Sequence, residues 1–179
     1  MIAKKIRECF LLAEQEEQKE KKHKGLLITK KSNDEAKQYL LKAKKNLELC
    51  NFYKEQGFEY KLPEEWFYTL YYCALAILSL FGVESRNQRF TALLLRYLKD
   101  KKLIEYDDNL IDRIQVYQEK NNISDVDARE KGRYSSLIQI KDVHQQYDEM
   151  MHICKHAIAQ CEETIFADKK YELPKEIKP

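Results

Sequence analysis

The chain reads as an all-α protein, an up-and-down antiparallel helical bundle of about five core helices with an extra N-terminal helix. Three observations predict this. Only 4 of its 179 residues are glycine and 3 are proline, too few for the many tight turns of a β-rich fold. Gly25, Gly57, Gly82 and Pro63 fall between periodic segments, where helices end and begin. Within those segments apolar residues recur every three or four positions.

The first helix starts near Ile2, with Ile6, Cys9, Phe10 and Ala13 on one stripe, and runs into a polar EQEEQKEKKHK stretch. Gly25 interrupts it and LLIT follows as a connector. Ser32 and Glu35 have the spacing of a capping box, which starts a second helix carrying Ala36, Leu40, Ala43, Leu47 and Cys50. A third helix follows Pro63, with Phe67, Leu70, Tyr71, Ala74, Leu78 and Phe81 on one face. Ser85 is expected to cap a fourth, bearing Phe90, Leu94, Tyr97 and Leu98, with Arg86, Arg89 and Arg96 on the other face. A fifth is expected over about 107–120. The last, over about 141–167, steps by four and three through Val143, Tyr147, Met150, Cys154, Ala157, Cys161 and Thr164. These elements divide the chain into an N-terminal helical extension (1–30), a bundle (31–168) and a loose tail (169–179).

The stretch from Trp66 to Val83 is free of charge, long enough to raise a membrane span. Its three tyrosines and its acidic flanks, Glu64, Glu65 and Glu84, make it instead the central helix of a bundle, buried all round. With no signal-peptide pattern at the N-terminus, the reading is a cytoplasmic protein without membrane contact. The five cysteines are odd in number and form no C-x-x-C pair, so reduced, packed thiols are expected.

A net charge of +2 excludes a uniformly basic nucleic-acid binder and leaves local clusters to consider. Arg89 and Arg96 lie seven apart and, with Arg86, Lys99, Lys101 and Lys102, could form a basic strip for an RNA backbone; the alternative is a solvated face beside acidic neighbours. His152 and His156 have the four-residue spacing of a metal pair, but no third ligand recurs in register, so no metal and no cofactor is expected. His23 and His144 read as surface residues. Phosphate-cradling glycine loops and nucleophile elbows are absent from the sequence.

The helix LKAKKNLELCNFYKEQG is followed by the apolar helix WFYTLYYCALAILSLFGVES. Then come an arginine-bearing amphipathic helix, a loop with arginine and tyrosine, and a long final helix. From about Ser32 to Ala167 this order resembles the HEPN family. The resemblance implies a helical bundle that forms homodimers and binds RNA or nucleotide. Many members are metal-independent RNases in toxin–antitoxin or defence systems, often paired with a nucleotidyltransferase antitoxin. The family's active members carry arginine, a spacer of four to six residues, and histidine. Here the nearest counterpart is Arg129 and Tyr134, an Arg-x4-Tyr arrangement, with Arg133 as a helper. Tyrosine titrates near ~10, against ~6.5 for histidine, so it can donate to a phosphate or stack on a base but is a poor general base. Whether the chain is an enzyme stays open on this motif. A non-enzymatic helical protein–protein interaction module is the rival reading, motivated by the missing histidine and the charged first helix.

Overall fold

The computed structural model describes residues 2–115 and 140–179, with the side chains of the last helix described from Val143 on. Its described residues form six α-helices: α1 (Ile2–Gln18), α2 (Asn33–Glu55), α3 (Leu62–Leu80), α4 (Gln88–Asp100), α5 (Asp108–Ile114) and α6 (Ile140–Phe166). The all-α expectation holds. None of the described helices is long and apolar enough to cross a membrane.

The α3 helix is the axis. Thirteen consecutive positions back from Leu80 include only three that are partly exposed, Tyr68, Tyr71 and Tyr72. Its buried hydroxyls are satisfied within the helix: Thr69 Oγ1 donates to Glu65 O at 2.8 Å and Ser79 Oγ to Leu75 O at 3.0 Å. The α2 and α6 helices pack on α3 from two sides. Every residue of the expected α6 stripe, from Val143 to Thr164, is buried. Small thiols let α6 approach closely: Cys161 Sγ donates to Cys73 O at 3.6 Å and Cys154 Sγ to Trp66 O at 3.7 Å. All five cysteines are free and buried, as expected. The α2 N-terminus is also as read, with Ser32 Oγ accepting from the Glu35 amide at 3.0 Å.

Several features depart from the sequence reading. Leu26–Ile28 (β1) and Val83–Ser85 (β2) form a two-stranded antiparallel sheet, with Leu26 opposite Ser85 and Ile28 opposite Val83. Three-residue strands are too short to show an alternation, and their pairing is non-local. Helix α4 starts later than read: Asn87 is its cap, accepting from Phe90 N at 3.2 Å, and Ser85 instead receives the Thr91 hydroxyl at 2.7 Å. Arg86 therefore precedes the helix. Helix α5 stops at Ile114, because Gln115 has an extended backbone with φ −81° and ψ 137°.

The two ends of the chain are built into the core. Ile6 and Phe10 of α1 are fully buried, in one cluster with α3 and α6 residues. The tail is not loose. Tyr171, Leu173 and Ile177 are buried, Tyr171 donates to Thr164 O at 2.7 Å, and Lys175–Ile177 makes a 3-10 turn against α1. Short apolar insertions in a charged segment can anchor it without any helical period to announce them.

Candidate ligand-binding cleft

Helices α1 and α4 lie side by side and leave a cleft of about 510 Å³ between them. From α1 come Lys5, Glu8, Cys9 and Leu12, spaced as one helical face. From α4 come Arg89, Phe90, Leu93 and Arg96, and Gln115 closes one side. The walls are thus apolar, from Leu12, Phe90 and Leu93, and the rim is mostly cationic.

The cations differ in how committed they are. Arg96 is held by two carboxylates, Asp108 at 3.0 Å and Asp112. Lys99 also pairs with Asp108, at 2.6 Å, and that contact holds the Asp108 carboxyl below its usual range. Lys101 pairs with Glu176 at 2.9 Å. Arg86 lies on Glu84 at 2.6 Å, outside the cleft. The expected basic strip is therefore largely neutralised by its neighbours. Arg89 and Lys5 are exposed and carry no ion pair among the described residues.

Cys9 sits at the cleft floor, and burial, with Glu8 beside it, pushes its thiol above the usual value against the opposing pull of Arg89. It stays protonated near neutral pH and contributes shape, not nucleophilicity. The cleft can accept an anionic group at Arg89 and Lys5 while an apolar or planar part packs on Phe90 and Leu93.

Arg129, Arg133 and Tyr134 lie outside the described residues. His152 and His156 are exposed on α6, and His156 Nε2 is 2.6 Å from Asp107 Oδ2, which lowers the Asp107 carboxyl. Among the described residues there is no cluster of three His, Cys, Asp or Glu groups placed to hold a metal. His144 is exposed, 3.7 Å from Glu59. His23, read as a surface residue, is buried: Nε2 lies 3.3 Å from Glu84 Oε1, and its loop tucks back under β2.

Of the basic residues singled out in the sequence, the cleft brings together Arg89 and Arg96. It adds Lys5 and Leu93, which sequence reasoning missed, and Phe90, read there only as an apolar position of its helix. Their helical spacing was visible, but the pairing of α1 with α4 was not.

Compared with protein-family models, with curated proteins and with solved structures, the chain finds no match.

Proposed function

We propose that this chain is a HEPN-like helical protein that binds a nucleotide or RNA, with Arg89 as the anion contact in the α1–α4 cleft. The observation that carries the reading is a pair of exposed cations, Arg89 and Lys5, without an ion pair among the described residues, over an apolar-walled cleft of about 510 Å³. An arginine fork suits phosphate geometry, and Phe90 offers a face for a base. The HEPN-like helix order supports the same ligand class. It extends the proposal to a toxin–antitoxin or defence role with a nucleotidyltransferase as partner.

Any RNA cleavage would follow the metal-free route. The 2′-hydroxyl attacks the adjacent phosphate, Arg129 stabilises the phosphorane charge and Tyr134 positions the reacting group. With tyrosine in place of histidine the motif lacks a base suited to neutral pH, so binding with weak or lost cleavage is the expected behaviour.

Fluorescence anisotropy with a labelled single-stranded RNA and competing mononucleotides tests the site. Arg89→Ala is expected to weaken binding by about tenfold or more and to flatten the salt dependence, while Arg86→Ala changes little. Equal affinity in the Arg89→Ala, Lys5→Ala double variant, or no binding by the wild type, would remove the cleft assignment.

The protein–protein interaction reading is second, favoured by Leu12, a wall of the cleft, and its neighbour Leu11 in α1, exposed at 46% and 39%. Loss of nucleotide binding with retained capture of an acidic amphipathic peptide would bring it forward.

A further inference from the structure

Helix α2 carries apolar residues on two opposite faces. One face is spent on α3 and α6. The other presents Leu41 and Phe52, exposed at 48% and 52%, on either side of Lys45 and Glu48, whose side chains are both 64% exposed. Continued in steps of four and three, the exposed seam runs Asp34, Gln38, Leu41, Lys45, Glu48, Phe52, Glu55, the spacing by which two helices interlock.

This seam has an internal symmetry. Reversed about the point between Asn46 and Leu47, it places Leu41 opposite Phe52, Lys45 opposite Glu48, and Gln38 opposite Glu55. A seam that complements its own reverse is what an isologous two-fold interface requires, each contact occurring twice. Laid antiparallel on itself, α2 would bury two Leu–Phe contacts and close two Lys–Glu pairs. The Lys45–Glu48 pair, now within one helix at 2.7 Å, would be exchanged across the axis.

We infer that the exposed face of α2 is a docking surface for a second copy of this chain, paired antiparallel about a two-fold axis between residues 46 and 47. The inference stands on this surface and not on the ligand reading, so either can fail without the other.

Sedimentation of the full chain at about 100 µM, a range in which micromolar association is read, tests it. The wild type is expected to be a dimer. Phe52→Glu, an exposed substitution whose fold is checked by circular dichroism, should weaken the dimer about a hundredfold. Lys45→Glu and Glu48→Lys should each weaken self-association about tenfold by setting like charges in opposition. Mixed one to one, those two variants should recover the dimer, because both cross-axis pairs are then opposite in charge. A monomeric wild type, a dimer indifferent to Phe52→Glu, or a mixture that recovers nothing would overturn the proposal.

Discussion

Replacing Gly82 with alanine probes the contact that joins the two halves of the unexpected sheet. Gly82 has φ +69°, and a Cβ there would stand 2.7 Å from Thr29 O and 3.0 Å from Lys31 N. Both are backbone atoms, so neither can swing aside. Thr29 N also donates to Gly82 O at 2.8 Å, so separating the segments breaks a hydrogen bond. Gly57 is an internal control, with φ +76° and nothing within 4 Å of its Cβ position. The left-handed backbone costs an alanine about 1 kcal/mol at either site, and both variants lose the same unfolded-state entropy. Only Gly82 adds the clash, worth about 2 kcal/mol by analogy with overpacked cores. At roughly 3 °C per kcal/mol for a chain of this size, Gly82→Ala should melt about 6 °C below Gly57→Ala. Calorimetry of the two variants under identical conditions reads the difference. Melting within 1 °C of each other, on the order of the error at this conversion, would refute the close approach of the β1 and β2 loops.

Three further outcomes are expected. Phe10→Ala should cost about 3–5 kcal/mol in urea denaturation, because Phe10 is fully buried; a loss under about 1 kcal/mol would mean that α1 is not part of the common core. Glu176 accepts from Lys101 and Tyr97, and these contacts hold its carboxyl at about 2 against an ordinary 4.5. A depressed folded-state value gives stability that is present above the unfolded value and lost as pH falls from 4.5 toward 2. Wild-type melting should therefore fall across that window more steeply than that of Glu176→Gln, and parallel curves would show the clasp to be empty. Finally, with five buried thiols, native protein should react slowly with a thiol reagent, Cys9 first at 8% exposure, and denatured protein should titrate all five; rapid reaction of several thiols would contradict the α3–α6 packing.

Much of the architecture could be read from local pattern. The α6 stripe, the Ser32 cap, the glycine at the end of α2 and the buried central helix are short-range features. A helix's face and ends are decided by residues within one or two turns. The free, packed cysteines followed from their number and spacing in the same way.

What failed were the contacts that no helical period announces. The β1–β2 pair joins residues 26–28 to 83–85, and the strands carry no period of their own. His23 reads as polar in a lysine-rich run, yet its loop folds back against Glu84 and buries the ring. Along α4 the sequence left open a basic strip or a face beside acidic neighbours, and Asp108, Asp112 and Glu176, arriving from α5 and the C-terminal segment, decide for the second over most of it. Arg89 alone among those arginines keeps its charge uncommitted within the described residues. By itself, then, the sequence determined the fold class, the helices and the faces they bury, because these rest on periodicity and capping. Only the tertiary structure decided the cleft and which of its cations are available to a ligand, because a side chain's charge is free or spent according to neighbours that are distant along the chain.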